Sequence, residues 1–307
     1  MKQIVFCYFV FFSLCVLFSQ TSIIQDKSGE TSLLINDKNM IFVNAGDASI
    51  SFSLSYNNPT CFSGINFKLK AIEGISNIID GYDFKPEIEV GLFFGKYLIG
   101  KKESTSHFIY SGLAFISSAF NILSASNNID FQKNDFHGYA LTVGYNRMSA
   151  YKLFCNKLQS LNGPYIFGIS LNYGKFNNID DLKGVQKFSI QLLTDSENKQ
   201  YIFQKDKKSG FEGNYYTTNS VHLNVDTYIF PKILGKNIAI GGFLRSYLSG
   251  EKPRTNAGFG LLIGEKTAPT NVVLALLYQF NDIFNQLKEE TDFIKRTSLN
   301  INVGYNF

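Results

Sequence analysis

The sequence predicts an all-β fold, a transmembrane antiparallel up-and-down β-barrel that follows a cleaved signal peptide. Three observations lead to it. Segments of alternating polarity recur along the chain, these segments are long, and the face opposite the apolar side chains is mainly Ser, Asn and Gly. A tilted membrane-spanning strand needs about 9–11 residues, whereas strands of soluble sheets average about 5–6. Long alternating strands with few charges on the second face favour a membrane barrel over a soluble sandwich.

The first residues have the pattern of a secretory signal. Lys2 precedes an apolar run from Ile4 to Phe18, which only Ser13 interrupts. The run is shorter than the ~20 residues that a membrane-spanning helix needs, and polar residues follow it directly. We therefore expect a signal peptide over residues 1–19, the alternative being an uncleaved amino-terminal anchor.

The remaining sequence divides into two parts. Residues 20–37 form a periplasmic or lumenal lead, and residues 38–307 form a single transmembrane barrel domain. Two alternatives stay open for the lead, which either folds into the lumen as a plug or is disordered. It is too short for the separate plug domain of large energy-coupled transporters.

Alternation of polarity is clearest in the last segment of the chain. Leu299 and Ile301 share an apolar face there, and Asn300 and Asn302 share the opposite face. Three other segments repeat this pattern clearly: residues 48–56, 165–174 and 221–230. Weaker versions occupy residues 61–72, 86–98, 106–118, 138–147, 185–194, 237–248, 255–265 and 270–281.

Loop lengths bear on the number of strands. The segments above make twelve, and residues 39–46 and 199–206 are ambiguous. Both chain ends of such barrels normally face the periplasm, where turns are short, so the strand number is expected to be even. With both ambiguous segments included, the short links become periplasmic: 57–60, 99–105, 195–198, 231–236 and 266–269. We therefore expect fourteen strands, with twelve as the alternative.

The carboxyl-terminal segment carries a resemblance. The signal peptide, the repeated strands and the ending from Asn302 to Phe307 resemble a Gram-negative outer-membrane β-barrel protein of the porin-like superfamily. The resemblance implies a location in the cell outer membrane and contact with its lipids. It also implies that Phe307 closes the last strand and is read by the barrel assembly machinery.

The inward face is where a functional site is expected. By parity with the clear strands, the candidate lumen-lining residues are Lys68, Lys70, Glu89, Lys187, His222, Asp226 and Arg245. Their mixed charges argue against a strongly anion- or cation-selective ring. If residues 231–236 form the hairpin turn, His222 lies opposite Arg245. The alternative is an ordinary solvated lining without a selective role.

The sequence shows no pattern that indicates catalysis. It contains no GxSxG, no phosphate-cradling loop and no metal-ligand spacing, so we expect no enzyme activity, cofactor or metal. Outer-membrane enzymes that act on lipids use a His and a Ser on the lipid-facing wall, and their His-x-Ser spacing is absent here. Cys61 and Cys155 follow the signal peptide, and whether they pair stays open.

Two functional hypotheses remain. The first is a channel for the passage of small solutes. The second is a non-conducting structural or interaction barrel, which presents surface loops or belongs to an envelope or secretion complex. A nucleic-acid partner is not expected, because 29 Lys and Arg are nearly balanced by 25 Asp and Glu.

Overall fold

The computed structural model describes most of the predicted barrel domain and a short piece of the lead. The described residues are 30–33, 39–71, 86–102, 105–123, 131–149, 163–179, 182–194, 200–235, 237–249, 253–264, 272–287 and 292–306. The predicted signal peptide over residues 1–19 lies outside them, and so do Cys155 and Phe307.

Fourteen strands make up nearly all of the regular structure within these described ranges. They are β1 (Met40–Asn44), β2 (Ser49–Asn57), β3 (Cys61–Ala71), β4 (Pro86–Lys102), β5 (Thr105–Leu123), β6 (Phe131–Ser149), β7 (Tyr165–Asn177), β8 (Lys183–Thr194), β9 (Gln200–Glu212), β10 (Thr217–Ile229), β11 (Ile238–Tyr247), β12 (Arg254–Gly264), β13 (Val272–Phe280) and β14 (Thr297–Asn306). Two single 3₁₀ turns, Lys232–Leu234 and Ile294–Arg296, precede β11 and β14. In the described part of the chain, no helix is long and apolar enough to cross a membrane.

Twelve of the strands close into an antiparallel ring. Sequence neighbours pair from β1 to β7 and from β10 to β14, β7 pairs with β10, and β14 pairs with β1. The closing ladder joins Met40 to Asn306 and Asn44 to Asn302. The prediction of fourteen barrel strands is therefore wrong, and the alternative of twelve is the right number. The ring of twelve includes a strand within residues 39–46, a segment whose sequence is ambiguous. It excludes the strand within residues 185–194, which the alternative of twelve strands includes.

The β8–β9 hairpin lies outside this ring. Its strands pair with each other, and β9 touches the ring sheet through one parallel pair, Ile122 with Phe211. Two features of the ring explain the exclusion. β7 and β10 pair with each other along their whole length, from Asn177–Thr217 to Tyr165–Ile229. The end of β5 also extends past its described ladder with β4, and β9 pairs with it there.

Side chains of the ring strands face outward and inward with a period of two, and β14 shows the separation of apolar from polar side chains most clearly. On β14, Leu299 and Val303 are 62% and 51% exposed on the outer wall, whereas Asn300 and Asn302 are fully buried inside. An exposed apolar wall of this kind costs free energy in water but not against lipid acyl chains. Ring closure also pairs the strand backbones within the protein, as a spanning sheet requires.

The two ends of the barrel differ in the length of their links. Met40 pairs with Asn306, so β1 begins and β14 ends at the same end, here called the terminal end. Four of the predicted short links lie there: 57–60, 99–105, 231–236 and 266–269. The fifth, 195–198, belongs to the excluded hairpin. The opposite, distal end carries the long links 178–216, with the hairpin, and 281–296, but also the short link 45–48, and the terminal end carries one long link, residues 150–164.

The facing of the outer wall can be tested with the same substitution at an apolar and at a polar outward-facing position. Leu299→Arg should impair assembly, because Leu299 is part of the apolar outer wall and a lipid-facing Arg costs up to ~2–4 kcal/mol. Ser117→Arg is the matched control, since Ser117 also faces outward but lies beside polar His137. The measurement is the fraction of detergent-extracted protein that migrates as a folded band without boiling. Equal fractions for the two variants would contradict the assigned lipid-facing wall.

Candidate functional site

The interior of the barrel is densely packed at its polar positions. Small and amide side chains of several ring strands are almost completely buried, among them Ser49, Ser51, Ser53, Asn146, Ser170, Asn224, Gln279, Asn300 and Asn302. They face inward on strands whose alternate residues face outward. Part of this burial comes from the protein's own lead, because a segment that precedes β1 lies inside the barrel.

This lumenal segment is Glu30–Leu33, and the wall binds the backbone of Ser32 from three strands. The amide nitrogen and Oγ of Ser32 donate to Oδ2 of Asp226 at 2.9 and 2.6 Å. The carbonyl oxygen of Ser32 accepts from the Tyr110 hydroxyl at 2.9 Å and from Nδ2 of Asn146 at 2.6 Å. Donor and acceptor groups of a single residue are thus satisfied by β5, β6 and β10.

The Asp226 carboxylate serves two partners. Its second oxygen, Oδ1, accepts from Nη2 of Arg245 at 2.8 Å, and both side chains are fully buried. Nη1 of Arg245 donates to the carbonyl oxygens of Val225 and Leu244, both at 3.1 Å. The guanidinium also lies over the Phe243 ring, 4.9 Å from its centre. Arg245 therefore compensates the buried charge of Asp226 and leaves the other carboxylate oxygen for the lumenal segment.

His222 binds the acidic residue of the segment. Oε1 of Glu30 lies 2.5 Å from Nδ1 of His222, and Nε2 of the same ring lies 2.5 Å from Oγ of Ser220. The imidazole stacks on Phe176 at 4.6 Å and meets the edge of Tyr247 at 4.4 Å. Two rings and a hydroxyl thus hold the imidazole with one nitrogen directed at the carboxylate.

Leu33 fills an apolar pocket next to these polar contacts. It is fully buried in a cluster with Met40, Ile166, Tyr228, Phe230, Ala239, Phe243, Leu262, Ala275 and Leu277. Gly168 provides the space for this approach, because a Cβ atom there would lie 2.7 Å from Cδ2 of Leu33 and 2.8 Å from the carbonyl oxygen of Ser32. We call the wall residues that bind the segment the lumenal dock: Tyr110, Asn146, Gly168, His222 and Asp226.

A second group of buried charges lies toward the distal end. Asp47, in the turn between β1 and β2, forms ion pairs with Lys68 and, at 3.1 Å, with Lys70. The turn is held by Oδ1 of Asn44, which accepts from the amide nitrogens of Gly46 and Asp47. Burial alone would raise the pKa of Asp47, but the two ammonium groups hold that pKa below its usual value.

The structure distributes the seven sequence candidates over three places. Lys68 and Lys70 lie on β3, and Glu89 lies on β4, where it is the cross-strand partner of Lys68. His222, Asp226 and Arg245 lie on β10 and β11, in or beside the lumenal dock. Lys187 lies on β8, outside the ring, so it is not part of the barrel wall.

The predicted pairing of His222 with Arg245 is wrong. His222 lies opposite Tyr247, and Arg245 lies opposite Asn224. The last pair of the ladder is Ile229–Ile240, and a 3₁₀ turn lies between these two residues. The centre of the hairpin is therefore one residue closer to the carboxyl terminus than the centre of residues 231–236. This displacement shifts the register by two residues, which keeps both side chains inside but gives Arg245 to Asp226 instead.

The lumenal segment was missed by sequence reasoning as a site. Glu30 and Ser32 lie in a short polar stretch whose partners are about 80 to 190 positions away. Neither alternation nor spacing relates such residues to each other. The only signal was the position of the lead just before a barrel strand, which allowed a plug without indicating which residues form it.

A contact between a serine and a histidine on the outer wall was also not predicted from the sequence. Oγ of Ser117 lies 3.2 Å from Nδ1 of His137, because the two residues are cross-strand partners on β5 and β6. Both lie within a continuous ladder, whose backbone N–H groups serve the sheet rather than a reacting oxyanion. The contact alone therefore does not make a hydrolytic site.

Neither metal ligands nor a disulfide mark a further site in the described ranges. No three His, Cys, Asp or Glu side chains among the described residues are grouped as metal ligands would be. Cys61 is a free thiol, and its sulfur accepts a hydrogen bond from Nδ2 of Asn58 at 3.2 Å.

The fold and its interior define the class of protein. A closed antiparallel ring with an apolar outer wall and buried polar side chains on its inner face is the architecture of an outer-membrane β-barrel protein.

Three solved structures are similar to this protein. The translocator domain of the autotransporter NalP from Neisseria meningitidis has 9% identity and a TM-score of 0.41, and the match covers 89% of each of the two proteins. The NanC porin has 9% identity and a TM-score of 0.35, and the match covers 88% of this protein and 98% of the porin. The beta domain of the Bordetella autotransporter Brka has 10% identity and a TM-score of 0.33, and the match covers 88% of this protein and 96% of that domain. No family model matches the sequence, and no curated protein does.

The distal ion pairs predict a pH-dependent contribution to stability. Asp47→Asn leaves Lys68 and Lys70 without their carboxylate and should destabilise the barrel by ~3–5 kcal/mol at neutral pH. Because the folded pKa of Asp47 is lowered, the wild-type advantage is complete above the unfolded pKa of about 3.9 and is lost as the pH falls through the folded value.

Urea titrations of the folded, heat-modifiable band at several pH values measure this contribution. Asp135→Asn is the control, because Asp135 pairs with Lys133 on the exposed surface at 3.2 Å, and such pairs contribute ~0–1 kcal/mol. Equal urea midpoints for Asp47→Asn and the wild type at neutral pH would refute the role of this turn.

Proposed function

We propose that this protein is an outer-membrane channel for small solutes whose lumen, in the described state, is occupied by its own segment Glu30–Leu33. The observation that carries the proposal is the binding of Ser32 in the interior by Asp226, Tyr110 and Asn146. The serine, asparagine and charged side chains of the interior support a path for hydrophilic solutes, and the segment binds among them.

The segment can leave without damage to the barrel, because it belongs to no strand. Every ladder of the ring is formed by residues from Met40 onward. The segment is held by hydrogen bonds worth ~0.5–1.5 kcal/mol each, or ~1.5–3 kcal/mol where a charged group takes part, and by burial of Leu33. These contacts together favour the closed state, so that state should dominate over an open one.

The location and assembly partners belong to the same proposal. An apolar outer wall supports contact with outer-membrane lipid, and the four short links at the terminal end support a periplasmic position for that end, where β1 begins and β14 ends. β14 closes the ring against β1, and the following Phe307 is the residue by which the assembly machinery of a Gram-negative envelope would recognise it.

A second candidate is a non-conducting barrel that presents its distal end to a partner. The β8–β9 hairpin supports it, since this ribbon stands outside the ring on the side of the long links. Its base is fixed by Phe211, which packs with Phe120, Phe136 and Ile179. In a barrel of this kind the lumenal segment would be a plug that stays in the lumen.

Single-channel recording in planar bilayers tests the channel proposal. Wild-type protein should be closed most of the time, and the double variant Ser32→Ala, Leu33→Ala should open at least about tenfold more often. The double variant loses buried contacts, and Leu→Ala truncation alone costs ~2–5 kcal/mol where the side chain is buried. Ile233→Ala is the control, because Ile233 is 71% exposed in the terminal-end turn and lies outside the dock.

The outcomes separate the two candidates. A folded double variant that gives no current would refute the channel and favour the presenting barrel. Identical open fractions in the wild type and the double variant would show that the segment does not obstruct conduction.

A further inference from the structure

The lumenal dock recognises features that any peptide carries. It binds the backbone N–H group and the backbone carbonyl group of Ser32, in addition to the hydroxyl group. Beside them it holds one carboxylate, that of Glu30, and one aliphatic side group, that of Leu33. The dock thus has complementary groups for a short peptide with an acidic, a hydroxyl and an aliphatic residue in fixed order.

The charges around the dock select an acidic ligand. His222 faces the carboxylate directly, and Arg245 lies on the neighbouring strand with its charge partly used by Asp226. The guanidinium of Arg254 lies over the Tyr247 ring at 4.8 Å, and that ring touches His222. Because Asp226 compensates Arg245, the Arg254 guanidinium and the His222 ring are the groups near the Glu30 carboxylate that favour an anionic occupant over a neutral one.

We propose that the dock is the recognition site for the solute of this channel, and that the solute is a short acidic peptide for which Glu30–Leu33 is an internal mimic. The inference rests on the proposed function in one respect, since the segment must leave the dock before a peptide can enter. A peptide with an acidic residue, a spacer, a hydroxyl residue and an aliphatic residue makes the contacts that the segment makes.

The tether sets the concentration at which such a peptide competes. A short tether keeps the internal segment at an effective concentration in the millimolar range. A free peptide therefore binds the wild type weakly, whatever its intrinsic affinity. Weakening the segment while leaving the wall intact reveals the intrinsic affinity, and the double variant Ser32→Ala, Leu33→Ala does this.

Isothermal titration calorimetry of the full-length protein in detergent measures the binding without any need for conduction. The probe is the unlabelled tetrapeptide acetyl-Glu-Thr-Ser-Leu-amide. We expect the double variant to bind it at least about tenfold more tightly than the wild type. The same peptide with Gln in place of Glu should bind about tenfold more weakly, as a lost hydrogen bond to a charged group implies.

A wall variant shows that binding takes place in the dock. Gly168→Ala, added to the double variant, should abolish binding because its Cβ occupies the space of the ligand. The unboiled gel band checks that this triple variant is folded. If it is not, His222→Gln replaces it, and that variant should remove the preference for Glu over Gln.

Three results would overturn the inference: a folded double variant without saturable heat, equal affinity for the Glu and Gln peptides, or unchanged binding in the folded wall variant. Failure of the channel is a different result. A barrel that binds the peptide selectively but never conducts would keep the dock as a peptide site and refute only its part in transport.

Discussion

Closure of the ring between β1 and β14 is the constraint on which the rest of the structure depends. A sheet within a membrane cannot leave an edge, because unpaired N–H and C=O groups in hydrocarbon cost several kcal/mol each. The five residue pairs from Met40–Asn306 to Asn44–Asn302 remove that edge. Closure also fixes which face of each strand meets lipid, and it forces the polar residues of twelve strands into one shared interior.

The Asp226 carboxylate is central to that interior, because it accepts hydrogen bonds from two different partners. Asp226 takes Arg245 on one oxygen and the lumenal segment on the other, so a single residue links the wall to the segment. The arrangement follows from the register of β10 and β11, which places Asn224, not His222, opposite Arg245. A shift of two residues therefore changes the chemistry of the site while leaving every residue on the same face.

Sequence reasoning recovered the features that depend on a single strand. All fourteen segments are strands, and the parity that placed Leu299 outside and Asn300 inside is the parity of the structure. Features that depend on which strands or residues contact one another could not be predicted from the sequence. A period of two does not say which strand pairs with which, so the β8–β9 hairpin was counted into the ring. The lumenal segment shows no period, and its partners are distant in sequence.

The polar character of the dock is consistent with the proposed departure of the segment. A permanent filling needs only volume and apolar contact, and Leu33 with its pocket already supplies both. The contacts of Glu30 and Ser32 require buried charges, whose desolvation offsets much of the attraction that they provide. Such groups contribute discrimination between occupants more than stability. A wall that discriminates is useful only if more than one occupant competes for it, which a fixed plug would never require.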